Sequence, residues 1–213
     1  MRASKRELKR DLPFALAAPV LVAILAIDNE ISRIDGGVLI LFFFTWLKLT
    51  IVQTLKIRSE INEVLGEKNI SKSIVHALLG LVLLLLAGWL IVDAAEKIGE
   101  TLNMNPFLVG ATFVAIGTST PELATTIMSR IRKHDDIGIG TVIGSNIFDL
   151  LLTVGLAALI YPIGVSSKEL FAGVIVGAFS ILLMIPGKSS ILGRYRGGTL
   201  FLIYVGYISY SFI

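Results

Sequence analysis

Seven apolar stretches, at about residues 12–27, 36–55, 74–95, 106–129, 137–161, 169–186 and 197–213, leave this chain too little polar surface to cover a water-soluble core. Each approaches the ~20 residues a helix needs to cross a bilayer core, the first being shorter and containing Pro13 and Pro19. A backbone in hydrocarbon must satisfy its own hydrogen bonds, so stretches of this kind fold as helices. The sequence therefore predicts an all-α, polytopic membrane protein of about seven transmembrane helices. Composition agrees, with 16% charged residues and a mean hydropathy of +0.82, against roughly 25% charged in a soluble domain. The connections are short, apart from the polar stretch at about 56–73. Cysteine is absent, which closes disulfide and zinc-thiolate readings.

The distribution of basic residues predicts orientation, because Lys and Arg are retained on the cytoplasmic side. One set of alternate connections holds 15 of them: Arg2, Lys5, Arg6, Lys9, Arg10, Lys56, Arg58, Lys68, Lys72, Arg130, Arg132, Lys133, Lys188, Arg194 and Arg196. The other set holds Arg33, Lys97 and Lys168, while Lys48 lies within a span and reads as a snorkelling side chain. The expected topology is an N-terminus in the cytoplasm and a C-terminus outside the cell membrane. The net charge of +3 is a product of this asymmetry rather than a sign of nucleic-acid binding. The basic opening also has the outline of a secretory signal, but AILAIDNE offers no small-residue cleavage site.

A weak internal repeat gives the chain its plan. Residues 4–52 run SKREL, an apolar span, a turn, RIDGGVL and a second span; residues 166–210 run SSKEL, a span, a turn, RYRGGTL and a span. Arg33, Gly36 and Gly37 thus precede Arg194, Gly197 and Gly198 by 161 positions. The two copies start on opposite sides of the membrane, as in an inverted repeat with its substrate site near the midplane. The later pair follows three other spans and the earlier pair follows none. The expected organisation is residues 1–59 as the last two helices of an incomplete first repeat, 60–73 as a cytoplasmic linker, and 74–213 as a five-helix second repeat.

Within that second repeat, two acids stand inside apolar sequence, Glu122 in GTSTPE and Asp149 in GSNIFD. An acid at the centre of a membrane helix costs ~2.5–3.5 kcal/mol on insertion scales unless it is solvated, paired or bound to a cation. Pro121 lacks an amide donor and crowds the carbonyl of Gly117, so the helix should break or kink between Gly117 and Glu122. Backbone loosened at this depth is tolerated where it lines a cavity. Thr118, Ser119 and Glu122 offer oxygens beside the break; on the next helix Ser145 and Asp149 share a face, with Asn146 about 100° round from Ser145. Gly140 and Gly144, with Gly138 before them, should let that helix approach a partner closely. A donor set made only of oxygen suits Ca²⁺, Na⁺ or Mg²⁺ and argues against soft transition metals.

AIGTSTPE, from Ala115 to Glu122, followed by GSNIFD, resembles the second alpha-repeat of the sodium/calcium exchanger family of the cation/calcium exchanger superfamily. The resemblance is close over spans three to seven and positional over the first two. It implies ten spans in two inverted five-span halves, and an inward Na⁺ gradient driving Ca²⁺ out by alternating access. It further implies Ca²⁺ coordination by Glu122 and the carbonyl of Thr118, and Na⁺ ligands from Ala115, Ser119, Glu122, Ser145 and Asp149. Asp149 would occupy a shared central position, where it binds an ion or water or holds a proton. The family draws a second Glu and its neighbours from a first repeat that this sequence does not contain. The expectation is a secondary active Na⁺/Ca²⁺ antiporter half that needs the missing N-terminal repeat half, from the same gene or a separate chain, and cannot exchange ions alone. No enzyme activity and no cofactor are expected beside the transported ions.

Other readings compete. An H⁺/Ca²⁺ antiporter would use the same buried carboxylates, although that branch usually places Asn before the acid. A non-transporting accessory membrane subunit is a third possibility. An intramembrane aspartyl protease needs two Asp, one in a GxGD context, whereas this chain has Glu122 and GSNIFD. Glu122 and Asp149 could instead form a structural pair with Lys48. Asp93 and Glu96 read as a solvated helix end rather than a cation funnel. His76 and His134 lack metal-binding neighbours in sequence. Trp89 suits the membrane interface, and Asp135 and Asp136 suit a helix N-terminus.

Overall fold

The computed structural model describes residues 5–61, 70–132, 135–185 and 193–211. Its elements are α1 (Lys5–Leu25), β1 (Glu30–Ile31), α2 (Arg33–Ile61), α3 (Ile70–Thr101), α4 (Pro106–Val109), a π-helical turn π1 (Gly110–Val114), α5 (Ala115–Thr118), α6 (Thr120–Ile131), α7 (Asp135–Phe148), a second π-helical turn π2 (Asp149–Thr153), α8 (Val154–Ile160), β2 (Ile163–Gly164), α9 (Ser167–Met184) and α10 (Arg194–Ser211). The mainly helical class expected of a membrane chain is therefore found. Among the described residues, Arg33–Gln53, Pro106–Ile131 and Gly138–Ile160 are each long and apolar enough to cross a membrane. The linker expected at 60–73 lies mostly outside the described residues, as does His134; α2 and α3 run into its two ends.

The chain divides into two compact units, one formed by residues up to 51 together with 122–211, the other by residues 52–121. The core of the first unit is built from stripes. Ala15, Ala18 and Val22 form one on α1, continued by Ala26 just past its end, and Ile139, Ile143, Ile147 and Leu151 recur every fourth residue along α7 and π2. Spacings of three and four put such residues on one helix face. α1 packs against both α7 and α9, and α10 packs against α9. Leu39 and Phe43 of α2 complete the core, with the Phe43 ring edge-on to Phe148 at 5.6 Å.

Close helix approach occurs where side chains vanish. A Cβ at Gly36 would lie 2.6 Å from the carbonyl oxygen of Gly155, and one at Gly155 would lie 3.0 Å from that of Gly36, so α2 and α8 touch through backbone. The same is not true of Gly140 and Gly144, where an added Cβ meets nothing within 4 Å among the described residues. The expectation that this GxxxG step brings α7 against a partner is corrected: α7 packs through its isoleucine stripe, about 100° away from Gly140 and Gly144.

At one end of this unit the connections interlock. β1 pairs antiparallel with β2, Glu30 opposite Gly164 and Ile31 opposite Ile163. Asn29 adopts a left-handed φ of 66°, a conformation asparagine tolerates; its carbonyl accepts from Val165 N–H and its side chain accepts from the Ser167 hydroxyl. The α1–α2 and α8–α9 connections are thereby tied together.

Deep in the same unit, Arg10 donates from Nε and Nη2 to the two carboxylate oxygens of Asp11 at 2.5 and 2.6 Å, and Trp46 Nε1 donates to Asp11 Oδ1 at 2.9 Å. This polar knot joins α1 to α2.

The second unit is organised by helix ends. α3 stops at Asn103, whose φ is 51°; Asn103 N–H reaches Glu100 O and Met104 N–H reaches Gly99 O, a left-handed stop that satisfies otherwise orphaned carbonyls. Asn105 then caps α4 by accepting from Phe107 N–H at 2.9 Å, with Pro106 at the first helical position. Asp93 pairs with Lys97 one turn on, at 2.8 Å. That hydrogen bond and charge hold the exposed Lys97 ammonium above its ordinary pKa. Asp93 is thus paired within its own helix by an exposed partner one turn on.

Candidate functional site

The helix that carries GTSTPE is interrupted in the way Pro121 dictates. α5 ends at Thr118, Ser119 departs from helical geometry with φ −85° and ψ 0°, and α6 resumes at Thr120. Proline at position 121 has no N–H to offer the carbonyl of Gly117, while Ser119 N–H still reaches Ala115 O at 3.0 Å. Gly117 sits where a Cβ would come within 2.5 Å of Ile91 Cγ2, so the glycine of the motif lets α5 lie tightly on α3. Thr118 Oγ1 bonds back to Val114 O at 2.9 Å and to Ala115 O at 3.4 Å. Ala115, Thr118 and Ser119 belong to the second unit; Glu122, Ser145, Asn146 and Asp149 belong to the first.

Within the first unit, α6 and α7 present the acids differently. With 100° per residue, Ser145 and Asp149 fall on the side of α7 opposite the stripe of Ile143 and Ile147 that packs into the core. Asn146 falls at the edge of that stripe. The structure agrees: Asp149 is exposed, whereas Asn146 is half-buried and its Oδ1 is enclosed. Ser145 Oγ makes a long bond to Val142 O at 3.3 Å. Asp149 opens π2, where the helix widens for one turn. Such turns are frequent at functional sites, and nothing in DLLLT announced this one.

The geometry leaves buried oxygens without partners. Glu122 Oε2, Asn146 Oδ1 and Thr126 Oγ1 are enclosed and make no hydrogen bond among the described residues. Buried polar atoms are normally paired, and one left alone costs about 1–3 kcal/mol. Among the described residues no three imidazole, thiol or carboxylate groups converge. Carboxylate, amide and hydroxyl oxygens are hard donors, the chemistry that Na⁺ and Ca²⁺ take as ligands. Lys48 is exposed and makes no part of this group. Thr126 stands four residues after Glu122 on the same helix, and nothing in the motif pattern singled out its hydroxyl.

Comparisons with known proteins agree with these motifs. The family model described as sodium/calcium exchanger protein matches residues 72–213. The putative antiporter CaxA of Alkalimonas amylolytica is 30% identical over 94% of this chain and 66% of its own length. The sodium/calcium exchanger MaX1 of Methanosarcina acetivorans is 31% identical over 67% of this chain and 41% of its own. A solved structure of the sodium-calcium exchanger NCX_Mj, soaked with Na⁺ and Sr²⁺, superposes with a TM-score of 0.69 at 27% identity, covering 98% of this chain and 67% of that one. The chain thus spans about two thirds or less of the length of these relatives. On these matches, and on the motifs around Glu122 and Asp149, the chain is a multi-pass membrane protein belonging to the sodium/calcium exchanger family.

Proposed function

We propose that this chain carries one wall of the cation site of an antiporter that exchanges Na⁺ for Ca²⁺ by alternating access at the bilayer midplane. The observation that carries the reading is the pair of enclosed oxygens without partners among the described residues, Glu122 Oε2 and Asn146 Oδ1, both in the first unit. Cation coordination is the chemistry that turns such atoms from a cost into a binding site. Ser145 and Asp149 supply further oxygens of this wall, and Ala115, Thr118 and Ser119 are assigned to the site on the GTSTPE motif alone. Seven spans, the basic connections in the cytoplasm and the last five helices as one half of an inverted repeat complete the proposal. MaX1 and NCX_Mj are described as sodium/calcium exchangers, which supports the choice of ions.

Radiolabelled Ca²⁺ binding to the purified chain tests the site. Binding is expected to be displaced by Na⁺ and lost in Glu122→Gln; equal binding by the variant would remove Glu122 from the site. Replacing the Na⁺ gradient by a pH gradient during transport by the complete exchanger separates this reading from H⁺/Ca²⁺ antiport.

A further inference from the structure

α6 is amphipathic in an unusual sense, with its polar face turned inward. Taking Glu122 as the origin and 100° per residue, Thr126 lies at 40° and Ser129 at −20°, while Leu123, Ile127, Met128 and Ile131 spread between 100° and 240°. The apolar set is exposed, Leu123 at 59% and Ile131 at 68%, whereas Ser129 is 6% exposed and the Thr126 hydroxyl oxygen is enclosed. In a membrane helix this places the lipid-compatible face outward and a line of hydroxyls inward. The line runs from Glu122 toward the end of α6 that carries Arg130 and Arg132.

Thr126 departs from a local rule. Threonine hydroxyls on helices usually bond back to the carbonyl four residues before. Thr45, Thr50, Thr101, Thr112, Thr118, Thr120 and Thr199 all do so here. Thr126 makes no such bond to Glu122 O, and its oxygen has no partner among the described residues. Its own carbonyl accepts from Ser129 Oγ at 2.8 Å, which fixes Ser129 with its lone pairs free of that donation. Residues four apart on a helix are neighbours, so an enclosed, unpartnered hydroxyl stands one turn from an enclosed, unpartnered carboxylate oxygen.

We propose that Thr126 is a further cation ligand, on the route by which an ion passes between Glu122 and the basic end of α6, with Ser129 continuing the oxygen lining. The proposal rests on the reading of Glu122 as a cation ligand. A hydroxyl oxygen one turn from the carboxylate lets Na⁺ or Ca²⁺ exchange water for protein oxygen stepwise.

The absence of native cysteine lets a single introduced thiol report its own surroundings. In the full chain reconstituted in liposomes, the thiol of Thr126→Cys is expected to react with a membrane-impermeant methanethiosulfonate at least about ten-fold faster than that of Ile127→Cys, since thiol reactivity follows access and thiolate formation. Reaction should come from the side bearing Arg130 and Arg132, and millimolar Ca²⁺ should slow it several-fold. Equal rates at the two positions, or fast labelling that Ca²⁺ does not slow, would overturn the role of Thr126. Ca²⁺ protection that persists in Glu122→Gln would instead remove Glu122 while leaving Thr126 in place. As a second measurement, Thr126→Ser should keep Ca²⁺ affinity, whereas the isosteric Thr126→Val should weaken it about ten-fold, the loss of one oxygen contact to a charge. Equal affinities for the two, in variants of unchanged helical content, would also sink the proposal.

Discussion

Asp11 is 7% exposed, yet it carries a formal charge inside a helix of the first unit. The energetic question is what its removal does to Arg10, since breaking a buried pair strands the charge that remains. Asp11→Asn keeps an oxygen that can accept from Trp46 Nε1 but deletes the carboxylate opposite a guanidinium whose side chain is 12% exposed. A loss of about 3 kcal/mol is expected for that change. Trp46→Phe, which deletes one hydrogen bond, should cost about 1 kcal/mol. Thermal unfolding in detergent checks both, and an unchanged Asp11→Asn would show that the pair contributes nothing. Sequence reading assigned Arg10 to the basic end and overlooked Asp11, because adjacent helix residues do not ordinarily face each other. The length of the arginine side chain defeats that rule. Glu122 and Asn146 were legible for the opposite reason: a polar group in an apolar stretch is conspicuous whatever its exact contacts.

Proline left a clear trace among the elements, and glycine did not. The break between α5 and α6 follows from Pro121 alone, since a missing N–H and a ring clash act locally. Pro121→Ala should join the two helices, stabilising the chain by up to about 3 kcal/mol on propensity while weakening Ca²⁺ binding at least about ten-fold through loss of the loosened backbone. A variant that binds normally would show that the break is not part of the site. Glycine contacts depend on the partner helix, which a local pattern does not contain. Hence Gly140 and Gly144 are open while Gly36 meets Gly155. Gly36→Ala places a methyl group against the backbone of α8 and should cost about 1–3 kcal/mol. Gly37→Ala, with nothing within 4 Å, should be neutral or stabilise by up to about 1 kcal/mol. Equal melting temperatures for the two would contradict the close approach. The π turns at Gly110 and Asp149 had no sequence signal, since the extra residue in each is set by packing along the whole helix.

For the molecule as a whole, the expected orientation rests on the sum of its basic residues, because a transmembrane charge bias belongs to all connections together. The bias of 15 to 3 predicts that the N-terminus and the Arg130–Arg132 end of α6 share the cytoplasmic side, which protease protection of an N-terminal tag in sealed vesicles would check. The same whole-chain view limits what the site achieves. Ca²⁺ takes 6–8 oxygens, and in the proposed site α6, α7 and π2 contribute two carboxylates with a few amide and hydroxyl oxygens along one wall. Binding needs only part of that shell, because water fills the remainder. Transport needs more: the ion must lose water on one side and regain it on the other while Na⁺ competes for the same oxygens, and one wall leaves a Ca²⁺ ion hydrated and weakly distinguished from Na⁺. The 213 residues in liposomes are therefore expected to bind Ca²⁺ through Glu122 but to show no robust Na⁺-dependent Ca²⁺ uptake. Co-reconstitution with an inverted half that supplies a second carboxylate wall should restore uptake. Robust uptake by the 213 residues alone would mean that a single wall, or two copies in opposite orientations, completes the calcium shell.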